Sequence, residues 1–329
     1  SGRSIIISLE KMKNVRQFNK AAQTITVESG MVLSQIHKIV ENDNLFFPLS
    51  LGAQGSCMIG GNLSTNAGGV NVLKYGNTRE LCLGLEVVLP DGEVCQFGGI
   101  DAEPTGLDLR GAFIGSEGTL GIATKIAVRL TPNPQDVQTI LISFPTMRKA
   151  AETVSAVIAA GIVPAAMEAM DQRTIEVIEN HIPSGYPTDV GAVLLIEVEG
   201  LPDGVEIETL RICEVAENHE ALEIRIAQSS WQREALWKGR KGACGASTYL
   251  APNYYLHDTV VPRSELANVL DKVNQLAAEN DLMLMNVFHA GDGNLHPLIV
   301  FDAEEEGTIE RVHSVAAEIV KISIEAGGV

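Results

Sequence analysis

Long apolar runs are missing from this sequence of 329 residues. No stretch reaches about eighteen consecutive apolar residues, so the sequence predicts no membrane-crossing helix. Basic residues are also scarce, since 24 Lys and Arg stand against 42 Asp and Glu, for a formal net charge of -18. That balance argues against nucleic acid as a partner, because phosphate binding requires clustered positive charge.

Cysteine pairs are missing as well. The five cysteines are scattered without any CxxC spacing, at Cys57, Cys82, Cys95, Cys213 and Cys244. An odd number without paired spacing indicates reduced thiols and a cytoplasmic chain, and it argues against an iron–sulfur cluster in this chain.

Both ends of the sequence look cut. The chain opens at Ser1-Gly2-Arg3 and enters the apolar run Ile5-Ile6-Ile7-Ser8-Leu9, for which we predict a strand. It closes on Gly327-Gly328-Val329 directly after a helical pattern. We therefore expect a chain that is truncated at both ends.

The first part of the sequence alternates strands with glycine turns. Thr24–Glu28 and Ile122–Leu130 have the period of strands, Leu33–Asn42 has helical spacing, and Gly84–Gln96 reads as a hairpin about an Asp-Gly turn. Two prolines follow at Thr131–Pro134, where we predict a domain boundary. The predicted domains are residues 1–134 and 135–329.

The second part interleaves strands and helices, which predicts an α+β domain with an antiparallel sheet. Thr146 should cap a helix that ends at Ala160, and Ser264 should cap one that ends at Glu279. The predicted strands are Thr139–Phe144, Val193–Val198, Glu223–Ala227, Tyr254–Val260, Met283–His289 and His296–Phe301.

Two glycine-rich segments stand out in the first domain. The segment from Ile59 to Gly69 has bare backbone between short polar side chains, which suits an extended polar ligand held along a loop. A surface turn is the alternative, because the same residues dominate ordinary turns. The segment from Gly115 to Ile122 repeats the chemistry and runs into a predicted strand, which indicates two walls of one site. We expect that a Cβ at Gly61 or Gly68 would clash or would require a disfavoured φ.

Two further groups of residues could carry chemistry in the second domain. The decapeptide Phe288–Pro297 folds back at a Gly-Asp-Gly turn, so His289 and His296 could face one divalent metal ion. An Asp-Gly hairpin with incidental histidines is the alternative. Arg240 could bind a substrate carboxylate with two parallel hydrogen bonds, although a solvated basic helix face would look the same. The other histidines are interpreted as ordinary core or surface residues.

The glycine segments are similar to the FAD-binding half of the oxidases and dehydrogenases with the vanillyl-alcohol-oxidase (PCMH-type) fold. Lys74-Tyr75-Gly76, the Leu85–Gly92 hairpin and Thr105–Leu109 stand in the same order as in that family. The resemblance implies FAD, an FAD-binding domain followed by an α+β cap domain, and these cofactor-binding residues: Ile59, Gly60, Gly61, Asn62, Thr65, Asn66, Ala67, Gly68, Gly69, Tyr75, Gly76, Glu117, Gly118, Thr119, Gly121 and Ile122.

The decapeptide resembles the signature of bacterial glycolate oxidase catalytic subunits, D-lactate dehydrogenases and D-2-hydroxyglutarate dehydrogenases. This resemblance implies that His289 and His296 bind a divalent ion such as zinc or manganese, and that Arg240 binds the substrate carboxylate. The family's third metal ligand and its base belong to a Ser-Gly-Glu-His-Gly-Ile-Gly motif that this sequence lacks. Asp258-Thr259-Val260 replaces a common Asp-Gly-Thr, so its residues receive no role.

We therefore expect FAD-dependent oxidation of a small 2-hydroxy acid. The resemblance also implies an iron–sulfur electron-transfer subunit as partner, a homodimer, and work in the cytoplasm at the inner face of the membrane. Two alternatives stay open: a non-catalytic flavin-binding fragment or subunit, and a flavoprotein oxidase of a neutral alcohol.

Overall fold

A computed structural model describes residues 5–99 and 106–329. Ser1, Gly2, Arg3 and Thr105, which the sequence interpretation used, lie outside these ranges. The chain divides between Asn133 and Pro134 into two compact units, which we name the N-terminal unit and the C-terminal unit.

The N-terminal unit is built on an antiparallel sheet with the strand order β1-β2-β6-β4-β5. Two short strands, β3 and β7, pair separately. Its strands are β1 (Val15–Asn19), β2 (Thr24–Glu28), β3 (Leu45–Phe46), β4 (Cys82–Val88), β5 (Val94–Gly98), β6 (Ile122–Arg129) and β7 (Thr131–Pro132). Its helices are α1 (Leu33–Glu41), α2 (Ile59–Ser64), α3 (Val72–Tyr75), α4 (Thr78–Leu81) and α5 (Leu109–Phe113).

Hydrophobic periodicity explains the N-terminal unit well. Leu33, Ile36 and Val40 form the buried face of α1 and join the core that β2 and β6 line. The β4–β5 hairpin turns at Gly92, whose φ of +89° suits glycine. The strand predicted at the start of the chain is wrong: residues 5–9 are irregular, and Ile5 and Ile6 are 88% and 94% exposed. That run does not alternate, so it cannot bury one face against a sheet.

The C-terminal unit contains a larger antiparallel sheet with the strand order β11-β8-β10-β9-β14-β15-β13, while β16 pairs with β14 and β12. Its strands are β8 (Asp136–Phe144), β9 (Ala166–Asp171), β10 (Ala192–Gly200), β11 (Glu223–Ile226), β12 (Asn253–Leu256), β13 (Thr259–Val260), β14 (Met283–His289), β15 (Asn294–Leu295) and β16 (Pro297–Phe301). Its longer helices are α6 (Met147–Ala159), α7 (Gln172–His181), α8 (Pro202–Glu217), α9 (Ser230–Ala246), α10 (Leu266–Glu279) and α11 (Thr308–Glu325).

Most of the predicted strands of this unit are present, but one is divided in two and one observed strand was not predicted. The strand predicted over Tyr254–Val260 is interrupted at His257 and Asp258 and becomes β12 and β13. Strand β9 has no predicted counterpart. Because it is buried on both faces, its sequence lacks the alternation by which a half-exposed strand is found.

Helices α7 and α9 pack on the sheet and close one apolar core. Met170 of β9, Leu195 of β10 and Val287 of β14 meet Ala243 of α9 in that core. This packing places the side chains of α9 against residues of β9 and β10, and it positions the polar groups described below.

Of the two helix caps predicted from sequence, the structure contains one and lacks the other. The Thr146 hydroxyl accepts a hydrogen bond from the backbone N–H of Lys149. In contrast, Ser264 lies in a short 3-10 helix (Arg263–Glu265) before α10, and α10 has no side-chain cap. The Ser264 cap prediction is therefore wrong, because an extra turn displaces the helix start.

Replacing Thr146 with Ala should lower the free energy of unfolding by about 1 kcal/mol, since one N–H at the start of α6 loses its partner. Urea unfolding of Thr146→Ala, compared with the wild type, provides the measurement. Ser264→Ala is the matched control and should change stability by less than about 0.5 kcal/mol. Equal losses in both variants would contradict the capping assignment.

Candidate functional site

The first glycine segment begins as a helix and not as the loop expected from its composition. Residues Ile59–Ser64 form α2, in which Gly60 lies so close to Ser29, the residue after β2, that an added Cβ would stand 3.0 Å from the Ser29 carbonyl oxygen. No atom of the described residues would lie within 4 Å of a Cβ added at Gly61, so the clash expected there is not with the protein itself, and a clash with a bound ligand stays a prediction. At Gly68 an added Cβ would meet Val72 Cγ2 at 2.9 Å.

The polar residues of this segment are mostly held by the backbone. The Thr65 hydroxyl donates to the Gly61 carbonyl oxygen at 3.1 Å, and Asn66 Oδ1 accepts from the Arg79 N–H at 3.0 Å. The Ala67 carbonyl oxygen accepts from Thr78. Gly69 and Gly76 have φ of +129° and +78°, so both satisfy turns that favour glycine. Tyr75 contacts Phe46 edge to face.

The second glycine segment lies directly against the first. Gly115 N–H donates to the Leu63 carbonyl oxygen at 3.1 Å, and Glu117 N–H donates to that of Ser64 at 2.9 Å. The structure thus brings the two predicted walls together. Gly118 has open space around an added Cβ, whereas Gly121, just before β6 begins at Ile122, would place one 2.6 Å from the Val88 carbonyl oxygen. Thr119 bonds back to Ser116.

Two buried polar atoms on these segments have no partner among the residues described. They are Nδ2 of Asn62, on α2, and Oγ of Ser116, in the second segment. Buried donors are nearly always satisfied, so each such atom calls for an explanation. Together with the open faces of Gly61 and Gly118, they fit a polar ligand that lies along bare backbone.

A second polar cluster lies in the C-terminal unit around Glu168, which is fully buried on β9. Glu168 Oε2 lies 2.5 Å from Arg240 Nη2 on α9, and His289 Nδ1 on β14 lies 2.8 Å from Glu168 Oε1. Burial by itself raises the pKa of Glu168, but the Arg240 guanidinium and His289 outweigh it and hold that pKa below its usual range. Glu168 is therefore an ionised carboxylate.

Sequence reasoning missed Glu168. The only signal was one acidic residue in the otherwise apolar and uncharged run Ala166–Met170. A charge in such a run must be paired if the run is buried, so the residue could have been marked once β9 was identified as a strand.

The two histidines predicted as metal ligands do come together. Their ring centroids are 5.1 Å apart and the rings are nearly perpendicular. Nδ1 of His289 is held by Glu168, and Nδ1 of His296 lies 3.2 Å from the His257 carbonyl oxygen. Burial, followed by the proximity of His289, lowers the pKa of His296, so this imidazole is neutral at pH 7. Holding Nδ1 leaves Nε2 available, which is how metal-binding imidazoles are usually oriented.

This donor set fits two positions of a divalent-metal site. Within residues 5–99 and 106–329, no group of three His, Cys, Asp or Glu side chains is arranged to hold a metal ion. Two imidazoles alone supply half of a four-coordinate site.

Arg240 is buried, with 6% of its surface exposed. One of its terminal nitrogens pairs with Glu168, yet its Nε has no hydrogen-bond partner in the described part of the chain. The alternative of a solvated basic helix face does not hold for this residue, since the guanidinium points into the protein. A buried N–H without an acceptor marks a place where an anionic or carbonyl oxygen of a ligand fits.

Comparison with known proteins identifies the family of this chain. Residues 133–329 match the C-terminal domain of FAD-linked oxidases, and residues 1–98 match an FAD-binding domain. The chain belongs to the FAD-linked oxidase family. The FAD expected from the glycine segments is thereby supported.

Relatives of this chain align over nearly its whole length. It is 37% identical to "Glycolate oxidase subunit GlcD" of Escherichia coli over 99% of this chain and 65% of the relative. It is 38% identical to the GlcD of Bacillus subtilis over 98% of this chain and 69% of the relative. A "Probable D-lactate dehydrogenase, mitochondrial" of Danio rerio is 30% identical over 98% of this chain and 66% of the relative. The chain thus spans about two thirds of these relatives.

Solved structures show the same fold. The structure of p-cresol methylhydroxylase with substrate bound superposes with a TM-score of 0.73 at 15% identity, over 97% of this chain and 70% of that one. The PCMH-type fold expected from the glycine segments is therefore confirmed. No helix in the part of the chain that the structure describes is long and apolar enough to span a membrane.

Enlarging Gly61 should separate cofactor binding from folding. Because its Cβ would point into open space, Gly61→Val should change stability by no more than about 1 kcal/mol while lowering the FAD content of the purified protein. Absorbance at the flavin bands relative to protein provides the measurement.

Gly204→Val is the matched control, since Gly204 is also helical with open space around an added Cβ and lies in α8 of the other unit. It should keep the full FAD content. Wild-type FAD content in Gly61→Val would show that this face of α2 does not contact the cofactor.

Proposed function

We propose that this chain oxidises a small 2-hydroxy acid, of the glycolate or D-lactate class, to the 2-oxo acid with FAD as the electron acceptor. The observation that carries the proposal is Arg240, a buried guanidinium whose Nε has no hydrogen-bond partner among the described residues, in a chain of the FAD-linked oxidase family. Arg240 shares Glu168 with His289, and the ring centroids of His289 and His296 are 5.1 Å apart. A hydroxy acid offers the carboxylate that Arg240 Nε lacks.

The residues of the C-terminal unit would divide the work among themselves. Arg240 would fix the substrate carboxylate, while its pair with Glu168 holds the guanidinium in place. With the carboxylate fixed, the C2 hydroxyl of the substrate has fewer accessible positions, which lowers the entropy cost of reaching the reactive geometry. Bound FAD would supply a two-electron acceptor for the hydride that leaves C2. The proton of the C2 hydroxyl would pass to a general base, which the resemblance assigns to the Ser-Gly-Glu-His-Gly-Ile-Gly motif.

His289 and His296 would hold a divalent metal ion such as zinc or manganese in this proposal. Both rings have Nδ1 held by an oxygen, which leaves the Nε2 atoms as donors. Such an ion would supply positive charge that stabilises a developing alkoxide on the substrate. A third ligand must come from elsewhere, because the described residues provide only two imidazoles at this place.

The substrate class rests on the relatives' names, which include glycolate oxidase subunits, D-lactate dehydrogenases and D-2-hydroxyglutarate dehydrogenases. These acids share a 2-hydroxy carboxylate and differ in the group on C2. The word "subunit" in the name of the GlcD relatives supports a partner protein for this chain as well. We propose an iron–sulfur electron-transfer subunit as that partner, a homodimeric assembly, and work in the cytoplasm at the membrane surface.

The proposed reaction is tested by following the flavin absorbance of the FAD-loaded protein without oxygen. Glycolate, D-lactate or D-2-hydroxyglutarate should bleach the flavin bands and yield one 2-oxo acid per flavin. A flavin that binds but is bleached by none of the three would support a non-catalytic flavin-binding subunit. Bleaching by a neutral alcohol alone would support the alcohol oxidase.

Arg240→Lys tests the role of the guanidinium while keeping a positive charge for Glu168. The loss of one charge-assisted hydrogen bond of about 1.5–3 kcal/mol should raise KM for the hydroxy acid by roughly tenfold to a hundredfold. Steady-state kinetics with an artificial electron acceptor provide the measurement. Arg233→Lys, on the same helix but 40% exposed, is the control and should leave KM unchanged. Unchanged KM in both variants would contradict the role of Arg240.

Removing either histidine tests the metal site. Calorimetric titration of zinc or manganese should show binding to the wild type and no measurable binding to His289→Ala or His296→Ala, while the flavin absorbance stays the same. His219→Ala, at the end of α8, serves as the control. Equal affinity in all four proteins would mean that the paired histidines are structural.

A further inference from the structure

Glu168 contacts a predicted substrate-binding group and a predicted metal ligand at once. Its side chain is 1% exposed, one of its oxygens lies 2.5 Å from Arg240 Nη2, and His289 Nδ1 lies 2.8 and 2.9 Å from the two oxygens. Both partners come from other elements, α9 and β14, so the carboxylate on β9 links three elements at one point.

The contact with His289 determines where the imidazole carries its proton. An ionised carboxylate can only accept hydrogen bonds, so the Nδ1 of His289 must carry the hydrogen. When the ring is neutral, its Nε2 then has a free lone pair. Glu168 thereby prepares His289 as a ligand or proton acceptor through Nε2, whatever group meets it there.

The contact with Arg240 has a different consequence. The guanidinium and the carboxylate form a buried pair whose charges cancel, and the pair occupies one terminal nitrogen of the guanidinium. The Nε, which has no partner among the described residues, remains for a ligand. A neutralised guanidinium binds a carboxylate by directed hydrogen bonds more than by net charge.

We propose that Glu168 is a positioning residue with two roles. It orients the Arg240 guanidinium and neutralises its charge, and it sets the tautomer of the His289 imidazole. The inference rests on the proposed function, in which Arg240 binds the substrate carboxylate. It predicts that loss of the Glu168 charge makes anion binding stronger but less selective, which a residue that only supports folding would not do.

The chain offers a matched control in Glu197. In the sheet, Leu195 of β10 lies opposite Glu168 of β9. Glu197 is two residues after Leu195, so its side chain lies on the same face of the sheet as Glu168, the face that α9 covers. Glu197 accepts hydrogen bonds from Trp237 Nε1 at 2.6 Å and from the Thr139 hydroxyl at 2.9 Å. It holds α9 to the sheet through partners other than Arg240 and His289.

The first measurement is a calorimetric titration of propionate into the FAD-loaded, metal-stripped protein. Propionate carries a carboxylate but no hydroxyl, so it cannot be oxidised at C2 in the proposed reaction. Glu168→Gln should bind it more tightly than the wild type, on the order of tenfold, because the guanidinium is no longer neutralised. Glu197→Gln should match the wild type. Unchanged or weaker propionate binding in Glu168→Gln would overturn the charge-setting role.

The second measurement is the ¹⁵N spectrum of protein labelled in histidine, with the His289 signals assigned by their loss in His289→Asn. Wild type and Glu197→Gln should show a single tautomer with the proton on Nδ1, and Glu168→Gln should show a shift toward the other tautomer. The same His289 signals in all three proteins, together with equal losses of Tm in the two Gln variants, would show that Glu168 is only structural.

A double variant covers the case in which Glu168→Gln does not fold because Arg240 is left buried without a counter-ion. Glu168→Gln/Arg240→Met removes both charges and should fold, and the His289 tautomer can be read in it. An unchanged tautomer there would overturn the proposal. Neither measurement needs turnover. If Glu168→Gln binds propionate more tightly and changes the His289 tautomer, but hydroxy acids do not bleach the flavin of the wild type, the proposed function is overturned and the role of Glu168 stands.

Discussion

A buried carboxylate must be compensated, and much of the polar arrangement in the C-terminal unit follows from that requirement. Glu168 lies on a strand that is covered on both faces, where an unpaired charge would destabilise the fold by several kcal/mol. The sheet supplies His289 from the next strand, and α9 supplies Arg240. The need to compensate the charge of Glu168 therefore accounts both for the contact of α9 with the sheet and for the orientation of Arg240 and His289.

The N-terminal unit meets a different constraint, which is to bring backbone close to a large polar cofactor. Its two glycine segments are joined by hydrogen bonds from Gly115 and Glu117 to the end of α2. Some glycines there serve the chain itself, such as Gly69 and Gly121, whose positive φ and close neighbours exclude a side chain. Others, such as Gly61, leave an open surface. Glycine is therefore needed for two different reasons in these segments: some positions have no room for a side chain, and others leave bare backbone exposed.

The sequence predicted the N-terminal sheet, the hairpin and the Thr146 cap because each depends on local periodicity or on a single hydrogen bond. It also identified Arg240, His289 and His296, and the structure brings the two histidines together and places Arg240 and His289 on one carboxylate. It could not identify β9 or Glu168, since a strand buried on both faces has no alternating pattern and a lone acidic residue shows no partner. It also mistook α2 for a loop, because glycine content reports conformational freedom and not the conformation that tertiary contacts select.

The central claim of this account is that Arg240 Nε, which has no hydrogen-bond partner in residues 5–99 and 106–329, is the anchor for a substrate carboxylate. A crystal structure of the FAD-loaded protein with propionate bound tests it most directly. The account predicts a carboxylate oxygen about 2.7–2.9 Å from Arg240 Nε, with the Arg240–Glu168 pair still in place. A carboxylate bound elsewhere, with Arg240 Nε still without a partner, would contradict it.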